Sequence, residues 1–224
     1  MSDPLALLLG QRACRAYTPE PVDDGDLATI LRAATHAPSA ENRQPWRFVV
    51  VRSPAVRAAV VEVTRGVWDA MGREHARAGL APGFFAAVDS FVAGGDGYGG
   101  APVLVVAAGD GRDGTPTAVL ASSVYPAVQN LLLAATALGY GSAMTTLAVQ
   151  DPAGLGAVLG LPAGVRPFAV VPLGRPAAPL GPPRRRPVAE VAYLDGWGAP
   201  FGAPSTAAGG AGAGPPPPAR PPVA

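Results

Sequence analysis

Three short apolar runs, at residues 46–51, 103–107 and 165–173, alternate with segments of helical spacing, and this alternation limits the fold more than any other feature. Trp46-Arg47-Phe48-Val49-Val50-Val51 is rich in β-branched and aromatic residues and is bounded by Pro45 and by Ser53-Pro54, so it reads as a buried strand. The other two runs read the same way. Helix starts are marked between them. Ser2 or Asp3 can cap a short helix with Pro4 at its first position, running to Gly10. Asp23 can cap a second helix, whose first turn carries Asp24 and Asp26 and whose apolar face is Leu27, Ile30, Leu31 and Ala34, ending at Pro38. Ser53-Pro54 opens a third through Val56, Val60, Val61 and Val63, and a long helix spans 117 to 138. Residues 143–149 look strand-like. Helices alternating with strands imply a mixed α/β arrangement in two or three layers.

Length and charge narrow the classes. The chain has 224 residues, and from Gly202 onward it is mostly Ala, Gly and Pro with Arg220 as its only charge. Residues 1–201 are therefore expected to form one domain and 202–224 a disordered tail. Hydrophobic residues make up 49% of the chain against 15% charged, and the Ala-rich composition suits close helix packing or a subunit interface. With net charge +1 and no extended basic patch before residue 184, a nucleic-acid partner is not expected. All basic residues are arginine, so no lysine Schiff base can form. Cys14 is the single cysteine, which leaves no intrachain disulfide and points to a cytoplasmic address. The first residues lack the basic region of a signal peptide. The helix at 117–138 is interrupted by Ser122, Ser123, Pro126, Gln129 and Asn130, so no membrane span is expected.

The chemistry concentrates in Ala37-Pro38-Ser39-Ala40-Glu41-Asn42-Arg43-Gln44-Pro45-Trp46-Arg47-Phe48. Asn42 and Gln44 offer amide donors and acceptors, Ser39 a hydroxyl, and two prolines fix the backbone on either side; such a loop suits the uracil-like edge of an isoalloxazine ring. An ordinary helix-to-strand turn uses the same residue types. Further along, Arg12 and Arg15 stand three positions apart and Arg184, Arg185 and Arg186 follow one another, and together these forks could chelate a phosphate. Leu138-Gly139-Tyr140-Gly141-Ser142-Ala143-Met144-Thr145-Thr146-Leu147 combines small residues with a strand end, where a backbone can approach a flat ring.

These segments, in this order, resemble the FMN-dependent nitroreductase family over roughly residues 5 to 200. The resemblance implies an α+β fold with a central, mostly antiparallel sheet flanked by helices, in an intertwined homodimer. It implies FMN held by Arg12, Ala13, Arg15, Pro38, Ser39, Ala40, Asn42, Gln44, Met144, Thr145, Thr146, Arg184 and Arg185, with the backbone amides of Thr145 and Thr146 near the central ring nitrogen. Gln11 stands where the family often has arginine and Ala13 where it often has serine. Residues 187–197 resemble the family's C-terminal arm, which reaches the partner subunit, and the helix at 117–138 would lie at the centre of the interface. The implied activity is hydride transfer from NAD(P)H to FMN and on to a flat, electron-poor aromatic acceptor such as a nitroaromatic or quinone, with ping-pong kinetics and no catalytic side chain. A flavin-sequestering protein, or a flavin-destructase or cofactor-biosynthetic branch of the same fold, are the alternatives.

The remaining motifs have plainer readings. Gly94-Gly95-Asp96-Gly97-Tyr98-Gly99-Gly100 approaches a dinucleotide fingerprint but precedes a strand instead of following one. Residues 66–100, with Phe84, Phe85, Val88, Phe91 and Val92 at helical spacing, are expected to form a mobile cover. His36 and His75 have no partner at metal-ligand spacing, so no metal is expected; His36 suits a helix C-terminus. Cys14 reads as a core residue.

Overall fold

A computed structural model describes residues 3 to 201, so the expected tail at 202–224 lies outside the described residues. Contacts divide the chain into two units, one ending at Pro182 and the other running from Pro183. In the first unit a four-stranded antiparallel sheet has the order β1-β2-β4-β3, with β1 at Trp46–Val51, β2 at Val103–Asp110, β3 at Gly141–Ser142 and β4 at Val165–Gly174.

Alternation along the strands creates two cores, one on each face. Val103, Val105 and Ala107 of β2 and Ala169 and Val171 of β4 pack with helices α2 (Asp24–Ala34) and α6 (Thr117–Ala137). Leu104, Val106 and Val170 face the other way, onto α3 (Pro54–Val67), α5 (Pro82–Ala93) and α7 (Pro152–Leu159). The unit is thus three layers deep, with the sheet in the middle. A bulge between Ala107 and Ala108 lets Pro167, which has no N–H to donate, sit inside β4.

Local signals work as expected at several helix ends. The Asp3 side chain accepts a hydrogen bond from the Leu5 N–H at the start of α1 (Pro4–Gly10). Asp23 accepts from the N–H groups of Gly25 at 2.8 Å and Asp26 at 3.0 Å, and Asp24 and Asp26 load the first turn with charge that the helix dipole favours. Asp23→Ala should destabilise the unit by about 1 kcal/mol, with Asp23→Asn close to wild type, as read from urea unfolding.

Three expectations are corrected, and one helix had no counterpart among them. Helix α2 stops at Ala34 rather than at Pro38, since Thr35 caps the last turn and the chain then turns out of the helix. β1 is an edge strand with buried ends and a half-exposed middle, because it has a sheet neighbour on one side only. Residues 143–149 are not a strand. Thr145 makes one bridge to Val170, its hydroxyl oxygen accepts the Leu147 N–H, and the chain turns away into a single 3-10 turn at Ala148–Gln150. Helix α7 was not expected at all, although Asp151 caps it with Pro152 at its first position and Gly160 ends it in the left-handed region.

The cover segment is helical throughout its middle. Helix α3 runs on through a π-helical turn, Trp68–Gly72, into α4 (Arg73–Gly79), and α5 follows. The glycine run closes with a 3-10 turn at Tyr98–Gly100, directly before β2. By length and composition α6 could cross a bilayer, yet Leu120, Val124, Val128, Leu131 and Leu132 are buried in this chain's own core. Val119 and Tyr125 remain exposed on this helix.

Candidate functional site

The expected site residues fall into two groups within the first unit, far apart. The first group forms where the chain from α1 meets the end of α6. The Cys14 N–H donates to the Ser142 carbonyl at 2.9 Å, which lays residues 12–15 beside β3. Met144, Thr145 and Thr146 continue from β3 along the outer edge of β4, with Met144 and Thr146 exposed and Thr145 half-buried. Arg12, Ala13, Arg15 and 144–146 are thus brought together at one sheet edge.

The electrostatics of this group are unusual. Among the described residues neither Arg12 nor Arg15 forms an ion pair. Arg12 donates to the Gly181 carbonyl at 3.0 Å. Arg15 is half-buried and lies 5.0 Å over the ring of Phe84. Burial, and then the neighbouring Arg12, push its pKa below the ordinary arginine value. A guanidinium in that position favours an anion beside it. Cys14 is buried, and desolvation raises its thiol, so it is a packing residue and a poor nucleophile. Tyr17, also buried, hydrogen-bonds the carbonyl of Cys14 at 2.8 Å and helps fix the segment.

The second group is the loop before β1. Glu41, Asn42 and Gln44 all have positive φ, at 53°, 54° and 50°. Three non-glycine residues in the left-handed region within four positions amount to stored strain, which concentrates at functional sites. The surrounding bonds hold it. The Gln44 N–H donates to the Ser39 hydroxyl at 3.1 Å, the Asn42 N–H to the Ser39 carbonyl, and the Ala40 N–H to the Ser123 hydroxyl of α6 at 3.3 Å. The Gln44 amide donates to the Asn42 side-chain oxygen at 3.1 Å, and Arg43 ties the loop to Glu41 and Asp113. Pro38, Ala40, Asn42 and Gln44 are exposed and Ser39 half-exposed, so the amides face outward.

Sheet order separates the two groups. The loop leads into β1 at one edge, while 12–15 and 144–146 lie at the β3 edge, three strand spacings or about 14 Å away. Along α6, the stretch from Ser123 to Ala137 adds about 21 Å. The two groups thus lie at opposite edges of the sheet. Arg184 and Arg185 belong to the second unit, where Arg185 donates to the Arg184 carbonyl at 2.9 Å. That unit contains a 3-10 turn at Val188–Glu190 and a bridge between Tyr193 and Pro200, and it exposes Val188, Val191, Leu194 and Trp197.

Two supporting residues had no distinct signal in the sequence. Ser123 counted only as a polar interruption of an apolar helix, and Phe84 only as one of several aromatics at helical spacing. His36 accepts its expected structural role, its ring nitrogen lying 2.7 Å from the Arg32 carbonyl in the last turn of α2.

The chain is similar to known proteins in sequence and in fold. The model of the nitroreductase family matches residues 8–175. The chain is 32% identical over 193 residues to a protein of Thermus thermophilus described as an NADH dehydrogenase, covering 82% of this chain and 91% of that one. Among solved structures, a nitroreductase from Desulfitobacterium hafniense with bound FMN gives a TM-score of 0.68 at 23% identity, over 87% of this chain and 100% of the other. An iodotyrosine deiodinase bound to FMN and 3-iodo-L-tyrosine gives 0.66 at 24% identity, over 82% and 95% of the two chains. The two structural likenesses are likenesses of fold.

Proposed function

The chain belongs to the nitroreductase family, and from that premise we propose that it is an FMN-dependent oxidoreductase that takes hydride from NAD(P)H and delivers it to a flat, electron-poor acceptor of the nitroaromatic or quinone type. The observation that carries the cofactor is Arg15, a half-buried cation beside Arg12, with no carboxylate paired to it among the described residues. A phosphate monoester supplies the missing charge, and two guanidinium forks suit its oxygens. FMN, when bound, supplies the hydride chemistry.

The chain's own residues then have separable tasks. Arg12 and Arg15 hold the phosphate. The Thr145 N–H is taken by the Val170 carbonyl at 2.9 Å, so the Thr146 amide would meet the ring, with Met144 against it. Ser39, Asn42 and Gln44 present donors and acceptors to the polar ring edge, while Pro38 and Ala40 shape the turn. Because the loop and the arginines occupy opposite edges of the sheet, the polar ring edge and the phosphate of one FMN would be held by different copies, and the functional unit would be a homodimer with two equivalent sites. The exposed Leu5, Leu8 and Leu9 of α1 and the apolar residues of the second unit supply surface for that association. Acceptor and nicotinamide would use the same ring face in turn, giving ping-pong kinetics in a cytoplasmic enzyme.

The test is a visible spectrum of the purified protein followed by anaerobic addition of NADH or NADPH. Stoichiometric FMN and bleaching by a nicotinamide are expected. A bound flavin that no nicotinamide bleaches would instead identify a flavin-sequestering protein, and stoichiometric loss of the flavin itself a destructase. Sedimentation should report a dimer; a monomer carrying stoichiometric FMN would overturn the shared site.

A further inference from the structure

We propose that Phe84, on helix α5, is a positioning residue for the phosphate-binding guanidinium of Arg15, and so makes the segment over the sheet part of the cofactor site. This rests on the reading of Arg12 and Arg15 as a phosphate clamp.

The Arg15 guanidinium carbon stands 5.0 Å from the centroid of the Phe84 ring. No hydrogen bond from the Arg15 side chain to another group occurs among the described residues, and the neighbouring Arg12 repels it. The ring face is therefore the partner that the fold provides. Its chemistry suits the task. A guanidinium carries its five donors in one plane, so an aromatic face stacked against that plane attracts the charge while leaving the donors free. A carboxylate in the same place would occupy the donors and cancel the charge that a phosphate needs. Holding the guanidinium over the ring limits its freedom before the ligand arrives, which reduces the ordering cost of binding.

Phe84 is available for this role and is itself held in place. It is half-buried and belongs to neither apolar core, whereas its neighbour Phe85 packs on the second core and stacks on Trp68 at 6.3 Å. The Trp68 indole N–H donates to Asp89, also on α5, at 2.8 Å. At the other end of the helix Phe91 meets the edge of Tyr98 at 5.7 Å, and the Tyr98 hydroxyl hydrogen-bonds Thr64 of α3. The Tyr17 N–H donates to the Gly99 carbonyl at 3.0 Å, so the segment that carries Arg15 and the turn that follows α5 are joined directly. Helix α5 therefore presents the Phe84 ring to a cation whose own backbone is tied to the same turn.

The experiment is a fluorescence titration of the full-length apoprotein with FMN and, separately, with riboflavin, which lacks the phosphate. Phe84→Leu, which keeps an apolar side chain, should weaken FMN binding about fivefold, equivalent to about 1 kcal/mol, and leave riboflavin binding unchanged. Phe84→Tyr, which keeps the ring, should bind both ligands as wild type does. In an Arg15→Ala background, Phe84→Leu should have no further effect on FMN. An FMN-to-riboflavin ratio unaltered by Phe84→Leu, or the same loss with and without Arg15, overturns the proposal while leaving the clamp intact. A wild-type protein that binds riboflavin as tightly as FMN removes the clamp itself, and the role of Phe84 with it.

Discussion

Gly99→Ala should destabilise the first unit by about 3 kcal/mol or more and lower its melting temperature by about 6–12 °C. Gly99 has φ +62°, a conformation that costs a residue with a Cβ about 1–2 kcal/mol. The added methyl would also land on the Arg15 carbonyl oxygen, with the Ala16 Cα close behind. Both are backbone, and the Tyr17 N–H bond to the Gly99 carbonyl holds that backbone in place, so the overlap has no flexible side chain to absorb it. Overpacking of this kind costs about 1–3 kcal/mol, and loss of the hydrogen bond about 0.5–1.5 more. Gly100→Ala supplies the control. Its φ is +77°, yet no atom lies within 4 Å of the added Cβ, so only the conformational cost remains. Paired thermal melts separate the two effects. Equal losses in the two variants would mean that the turn and the Arg15 segment do not touch as described.

The same contact marks a boundary between what the sequence discloses and what it does not. Local signals carry the elements: the first and last residues of β1, the caps of α1 and α2, and the extent of α6 to within one residue follow from β-branching, Asp and Pro placement, and apolar spacing. The fold class was legible through the order of five motifs more than through composition. Nonlocal pairing is different. Nothing in Trp46–Val51 announces an edge strand, because that depends on which strand lies beyond β1. The turn after Thr145 depends on β4 offering only Val170 to it, so β-branched residues at 145 and 149 misread as a strand. Of the candidate site, the residue types were legible and their distribution was not. Residues 12–15 and 38–44 are close in sequence, and only the order β1-β2-β4-β3 sends them to opposite edges. Phe84 was hidden for a related reason, since an aromatic at helical spacing reads as core until a cation is found over its face.

Removing both guanidinium groups, as Arg12→Ala with Arg15→Ala, should weaken FMN binding at least about a hundredfold while leaving the apoprotein folded. Each charge-assisted bond to a phosphate is worth about 1.5–3 kcal/mol, and about 1.4 kcal/mol is tenfold in affinity, so two such bonds span about 10²–10⁴. The single variants should lose less than half of that each. Arg12 and Arg15 repel one another in the free protein, and deleting either relieves that repulsion for the one that remains. Stability gives the contrast that separates a binding role from a structural one. Arg15 is half-buried with no carboxylate partner among the described residues, so its loss removes an uncompensated charge and little else beyond the stacking on Phe84. Arg12 gives up one bond, to the exposed carbonyl of Gly181, which water can replace. The apoprotein of the double variant should therefore melt close to wild type, and added FMN, which should raise the wild-type melting temperature, should no longer raise it. A double variant that retained FMN affinity within about threefold, or one that lost its fold before its flavin, would place the phosphate elsewhere on the molecule.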